Sequence, residues 1–341
     1  MKNSKLTICN VTIHPGESTN LALPLPEQYS CAPLYMPIKV LHGEKKGKCL
    51  LIFSTITGIE FNGIEIINRL IDSLNVKDIA GTIIAVPVVN VYGLTHYPSV
   101  LPAGSNLNHC FPGDEKGTFG QRFAYVFTQE ILKKADYCIE LQTGGISYNI
   151  LPQIYCNYND PEAKKLARIF QTPTITHVEL QKNNLRKTTD DLNIPLLVYQ
   201  AGEALRFDEN AINIAVKGII NVMGEIDMIE NKAEITLSPI PSKDTEWIIA
   251  HKGGVLHVKV ILGQKISKND LLGTITDPFG NEVLEPVQSS YEGIVVGINM
   301  TPLIHEGESI FKIASFLDAE KASSVIEQWD KSNQESTANY E

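Results

Sequence analysis

The stretch Ser54-Thr55-Ile56-Thr57-Gly58-Ile59-Glu60-Phe61-Asn62-Gly63 puts a hydroxyl and a carboxylate into one tight corner. Before it, Leu50, Leu51, Ile52 and Phe53 form the short apolar run of a strand covered on both faces. After it, Phe61, Ile64, Ile67, Ile71 and Leu74 recur at helical spacing. Gly58 and Gly63 bracket the turn, so Thr57 and Glu60 fall at the carboxyl edge of a parallel sheet, where such sheets receive ligands. Two other arrangements have residue types that could do chemistry. Cys110 beside His109 could be a thiol nucleophile and its base, a pairing that needs a lowered thiol pKa. Glu60, His109 and Cys110 have types that suit zinc, but neighbours on one backbone point apart. The other seven histidines, His14, His42, His96, His177, His251, His257 and His305, form no His-x-His or His-x-x-x-His pair, so ordinary surface or core roles are expected.

The elements that must position this corner follow from the pattern on either side of it. Residues 1–45 carry short β-like runs between Pro and Gly turns and read as a small β element leading into the main sheet. Over 46–235 strands and helices alternate: strands at Cys49–Thr55, Gly81–Val89, Tyr137–Leu141 and Leu196–Tyr199, and helices at Gly63–Leu74, Phe119–Lys134, Pro161–Phe170 and Glu209–Met223. That alternation predicts an α/β fold with a mainly parallel sheet flanked by helices. Ser238-Pro239-Ile240-Pro241-Ser242 reads as a linker, and 236–316 as a compact β-rich domain with glycine turns. The tail, 317–341, predicts a helix from Leu317 to Trp329 and a frayed polar end.

Composition narrows the function classes. With 341 residues, 43% hydrophobic and 20% charged, the chain can bury one large core and a smaller one. A formal charge of -10 and no basic cluster beyond Lys45-Lys46-Gly47-Lys48 argue against nucleic acid and anionic membranes as partners. No run reaches the length of a membrane span and no signal-peptide core opens the sequence, so a cytoplasmic protein is expected. The six cysteines, Cys9, Cys31, Cys49, Cys110, Cys138 and Cys156, contain no Cys-x-x-Cys and are expected to be reduced, mostly in the core.

The motif order resembles the succinylglutamate desuccinylase/aspartoacylase family of carboxypeptidase-like zinc deacylases. Thr57-Gly58-Ile59-Glu60 followed by Asn62-Gly63-Ile64-Glu65-Ile66 is similar to that family's His-Gly-x-Glu and Asn-Gly-x-Glu-Ile. Further matching pieces are Val86-Pro87-Val88-Val89-Asn90-Val91-Tyr92-Gly93-Leu94, Asn106-Leu107-Asn108-His109-Cys110-Phe111-Pro112-Gly113, Glu140-Leu141-Gln142-Thr143-Gly144, Leu151-Pro152-Gln153 and Tyr199-Gln200-Ala201-Gly202-Glu203. The likeness spans residues 6–316, including a carboxyl-terminal domain shaped like lipoyl- and biotinyl-carrier domains but without a carrier lysine hairpin.

The resemblance implies a zinc held by two histidines and a glutamate with water in the fourth position, a general-base glutamate, and an Asn-Arg pair gripping the substrate carboxylate. Four of these positions differ. Thr57 and Gln142 stand where the histidine ligands would be, leaving Glu60 as the one matching ligand. Gln200 stands at the base, with Glu203 a possible substitute, and His109 follows Asn108 where the arginine would be. Threonine and glutamine offer zinc weakly basic neutral oxygens, and an amide cannot shuttle a proton. No cofactor is therefore expected, Zn2+ being the alternative. The expected function is a non-hydrolytic homologue that binds a small amide, amino-acid or peptide ligand, or an enzyme partner, through Asn108, His109, Cys110, Thr143 and Gly144. The alternative is an active amide-cleaving or acyl-transfer enzyme with altered zinc ligands or no metal. A homo-oligomer is possible, and the ligand is expected to be neutral or cationic, since Glu60 lacks a metal to neutralise it.

Overall fold

The computed structural model describes residues 2–27, 33–95, 101–230, 238–280 and 282–337. Leu6–Ile8 (β1) and Val11–Ile13 (β2) pair as a small antiparallel ribbon. There follow Glu17–Pro24 (β3), Tyr35–His42 (β4), Lys45–Ser54 (β5), Phe61–Ser73 (α1), Ala80–Val86 (β6), Val91–Thr95 (α2), Phe119–Glu130 (α3), Tyr137–Gln142 (β7) and Tyr148–Cys156 (β8). Pro161–Phe170 (α4), Thr174–His177 (β9), Leu185–Asp191 (α5), Leu196–Gly202 (β10) and Glu209–Glu225 (α6) complete the α/β part. In the main sheet the order β3-β4-β6-β5-β7-β10-β8 holds, with β6, β5, β7 and β10 parallel, β3 and β4 antiparallel to their neighbours, and β8 antiparallel to β10 but parallel to β9. Residues 1–45 thus supply β3 and β4 to the main sheet itself, where they close one of its sides.

The apolar run of β5 splits between two cores because side chains alternate across a strand. Leu50 and Ile52 face α1, α4 and α6 through Ile66, Leu70, Leu166 and Ile219. Leu51 and Phe53 face α3 through Phe123 and Phe127. The helices begin at good caps. Asp160 accepts from Glu162 N and Ala163 N, with Pro161 at the first helical position. Thr118 and Gln121 form a reciprocal capping box at α3, which tightens into a 3-10 turn at Leu132–Lys134 where continuous helix was expected. Thr118→Ala is expected to cost about 1 kcal/mol in urea unfolding, read as a lower midpoint at unchanged slope.

The β-rich part comprises Ile240–Pro241 (β11), Asp244–Ile249 (β12), Gly254–Val258 (β13), Lys265–Ile266 (β14), Leu271–Thr276 (β15), Val283–Gln288 (β16), Gly293–Asn299 (β17), Leu303–Ile304 (β18) and Ser309–Ser315 (β19). It has its own core around Leu272, Ile275, Val295, Ile310 and Phe311. Its strands nevertheless join the main sheet: β17 pairs with β8, Gly297 opposite Ile150, and β19 and β12 follow outward. This bond places β19 beside the mouth of the α/β part. The last helix, Ala319–Thr337 (α7), runs past Trp329, since no Gly or Pro interrupts it. Ala322, Ile326 and Trp329 bury it against both parts of the chain. Cys138 and Cys156 are buried free thiols, as the composition predicts, and burial pushes the half-buried Cys9 up to about 11. Cys31, His96 and residues 338–341 lie outside the described residues.

Candidate active site

The carboxyl ends of β5, β7 and β10 meet at one corner. Ser54 Oγ donates to Leu141 O at 2.9 Å, which ties the ends of β5 and β7 together. Thr55 takes a left-handed backbone (φ 63), rare for a β-branched residue, and its Oγ1 holds Pro87 O at 2.8 Å. Gly58 (φ 92) lies where an added Cβ would meet the Gly93 backbone at 2.4 Å, so the turn closes only on glycine. This geometry folds Glu60 inward to 4% exposure. Thr57 donates its hydroxyl to Glu60 Oε1, and Ile59 N donates to Oε2 at 3.2 Å.

Across the sheet, Gln142, Gln200 and Gln153 stand opposite one another on β7, β10 and β8. Gln142 Nε2 donates to Glu140 Oε1 at 2.6 Å. Gln200 Nε2 donates to Thr143 O at 3.0 Å, and its Oε1 accepts from Tyr155 OH at 3.2 Å. Tyr155 OH in turn accepts from Lys312 Nζ at 2.9 Å. Gly144 is held by Gly202 O at 3.0 Å, and a Cβ there would sit 1.8 Å from Tyr148 O. The result is a cleft of about 300 Å³ lined by Gly144, Tyr148, Gln200, Trp247, Ser309 and Lys312, with one wall from each part of the chain.

Two buried carboxyls hold Thr57 and Gln142. Burial raises the pKa of Glu60, which its hydrogen bonds to Thr57 and Ile59 oppose and the charge of Glu140 reinforces. Burial also raises Glu140, 1% exposed, against the charge of Arg186 on α5. Glu140 Oε2, Gln153 Nε2 and Arg186 Nε have no protein partner.

Of the residues singled out in the sequence, Gly144 and Gln200 line the cleft, Thr143 holds Gln200 through its backbone oxygen, and Thr57 and Gln142 are bound to Glu60 and Glu140. Cys110, His109, Glu203 and Asn108 do not line the cleft. Cys110 packs against the core around Phe111 and Phe123, donates weakly to Asn106 O at 3.3 Å, and is raised by burial, the opposite of what a nucleophilic thiol needs. His109 is exposed on the same 3-10 turn, and Glu60, His109 and Cys110 form no metal-holding group. Glu203 follows the end of β10 and its carboxylate pairs with the exposed Arg206 at 3.8 Å. Asn108 is half-buried with its backbone N–H on Asn106 Oδ1. The sequence reading missed Glu140 as a site carboxyl, and Arg186, Tyr155, Trp247 and Lys312. Glu140 lay inside a quoted motif; the others carry no motif signal.

The donors at the three expected ligand positions, Thr57, Glu60 and Gln142, do not fit zinc. The Thr57 proton and one Glu60 oxygen are spent on each other, and Gln142 turns its amide nitrogen to Glu140. Neither threonine nor glutamine has an anionic form near neutral pH. Among the described residues no three His, Cys, Asp or Glu side chains gather to hold a metal.

Residues 46–226, more than half of the chain, match the family model of the succinylglutamate desuccinylase/aspartoacylase catalytic domain. The chain belongs to this family. Among curated proteins it is similar to the N-alpha-acetyl-L-2,4-diaminobutyric acid deacetylase of Halomonas elongata, 24% identical over 315 residues that cover 88% of this chain and 91% of that protein. The same fold is seen in the succinylglutamate desuccinylase/aspartoacylase of Rhodobacter sphaeroides (TM-score 0.78, 22% identity, 88% and 95% of the two chains). It recurs in the product-bound ectoine utilization protein EutE (DoeB) of Ruegeria pomeroyi (TM-score 0.79, 19% identity, 92% and 98%). In this member Thr57 stands in the corner after β5, and Gln142 and Gln200 stand side by side near the ends of β7 and β10. Among the described residues no helix is long and apolar enough to cross a membrane.

Proposed function

We propose that this protein is a non-hydrolytic member of the deacylase family that binds a small N-acyl amino acid or related amide in the cleft between its two parts. One observation carries the reading: the chain Lys312, Tyr155, Gln200, Thr143 O is closed by hydrogen bonds at every link. Gln200 therefore acts as a fixed donor and acceptor at the position where a deacylase needs a proton carrier. Thr57 and Gln142 are likewise held by the two carboxyls. The backbone of Gly144 and the rings of Tyr148 and Trp247 form walls against which an acyl amide can lie.

The amide-cleaving alternative draws on Glu60 and Glu140, two carboxyls whose proton affinity burial raises, with the charge of Glu140 adding to the shift of Glu60, an arrangement found at acid-base sites. The deacetylase from Halomonas elongata suggests the compound that separates the readings. Titrating the purified protein with N-acetyl-L-2,4-diaminobutyrate is expected to give binding heat without release of acetate. Acetate release at a rate typical of enzymes, on the order of 10 per second, would overturn the non-hydrolytic reading. Dialysis against EDTA is expected to leave the melting temperature unchanged, because no folding energy is coupled to a metal. A fall of many degrees that zinc reverses would count against it.

A further inference from the structure

Lys312 is a cation of the cleft, and among the described residues no carboxylate answers it. It sits half-buried on β19, with its ammonium 5.4 Å from the centre of the Tyr155 ring and 5.9 Å from that of Trp247. Tyr155 OH takes one of its three N–H donors. Among the described residues no acidic side chain lies within ion-pairing distance of it, whereas Lys265 on the same β-rich part pairs with both Glu292 and Glu320. The Tyr155 hydroxyl and the Trp247 ring hold the head group of a flexible side chain, and two donors remain for a ligand. The turn at Asn108-His109, by contrast, offers an exposed imidazole and no arginine.

Building on the ligand-binding reading above, we infer that the ligand's carboxylate is gripped by Lys312 from the β-rich part of the chain, so that the cleft selects N-acyl amino acids with a free carboxylate over their neutral amides. Seated there, the carboxylate lies beside the Tyr155–Gln200 link, and the acyl amide falls within reach of Gln200 and the Gly144 backbone lining the same cleft. The sequence expectation of a neutral or cationic ligand rested on Glu60 without a metal and on the missing arginine after Asn108. Glu60 is buried beneath the corner, while Lys312 is in the cleft wall itself.

The test compares N-acetylglycine with N-acetylglycinamide, which differ in one charge, by calorimetry on the full chain. The wild-type protein is expected to bind the acid about 10- to 100-fold more tightly, the range of a charge-assisted hydrogen bond. Lys312→Met should abolish the preference, Lys312→Arg should keep part of it, and Lys265→Met, which removes a charge elsewhere, should keep all of it. Should Lys312→Met fail to fold, Lys312→Gln reads the same loss. Equal binding of acid and amide by the wild type, or a preference that survives Lys312→Met, overturns the inference and leaves the non-hydrolytic reading standing. Absence of binding to both probes also overturns it, and the ligand-binding reading falls with it only if N-acetyl-L-2,4-diaminobutyrate is not bound either. Hydrolysis of the acid would sink the non-hydrolytic reading, and the acid-to-amide ratio in KM would still decide the role of Lys312.

Discussion

Thr57→His with Gln142→His is expected to create a zinc site where the wild-type chain has none of comparable affinity. Glu60 already stands at the corner, three residues from Thr57, with its oxygens drawn toward that side chain. Gln142 ends β7, alongside the β5 end that carries the corner, with Ser54 opposite Leu141 in the register. Two imidazoles and a carboxylate leave one open tetrahedral position, the donor set that zinc takes in hydrolases. Metal analysis after dialysis should show close to one zinc per chain in the double variant and far less in the wild type. Hydrolysis should still be poor, because Gln200 remains hydrogen-bonded as an amide. Adding Gln200→Glu should raise acetate release by about 100- to 10,000-fold, the usual contribution of a general base. A wild-type protein that retains stoichiometric zinc through dialysis would refute the dismantled site. A double variant that binds no zinc would mean that the corner itself has been reshaped.

At neutral pH, Glu60→Gln is expected to stabilise the protein. In the unfolded chain this carboxyl titrates near the ordinary 4.5, and in the folded chain burial holds it higher. The folded chain therefore keeps its proton over a window in which the unfolded chain has lost it. Stability is full below about pH 4.5, falls as pH rises through that window, and levels off above the folded pKa. Each unit of upward shift costs about 1.4 kcal/mol at neutral pH, a cost the neutral amide avoids. The amide keeps both contacts, accepting from Ile59 N and donating to Thr57 Oγ1. Glu140→Gln should gain less, because it deprives Arg186 of its nearby anion. Urea unfolding at pH 7 and pH 4 checks this: the gain of Glu60→Gln should appear at the first and vanish at the second. An equal effect at both pH values would show that the carboxyl is not protonated by burial. The two variants should add imperfectly, since the charge of Glu140 contributes to the shift of Glu60.

The identity of the donors was legible in the sequence, because residue type alone decides whether a ligand position holds an imidazole, a hydroxyl or a carboxamide. Thr57, Gln142 and Gln200 could be read that way before any geometry was known. The corner was legible too, since an apolar strand, a glycine-bracketed turn and an amphipathic helix are local patterns, and their alternation fixed the α/β class. Local pattern could not say that β3 and β4 complete the main sheet, nor that α7 packs back onto it, because both depend on pairing and burial between distant segments. Cys110 shows the same limit: its neighbour His109 suggested chemistry, but the core decided that the thiol is a packing group. Lys312, Trp247 and Tyr155 carry no motif and stand far apart in the chain. Backbone pairing of β17 with β8, and of β19 with β17 and β12, brings them to Gln200. The proton affinities of Glu60 and Glu140 likewise arose only in three dimensions, where the fold removed both from water and set them near one another.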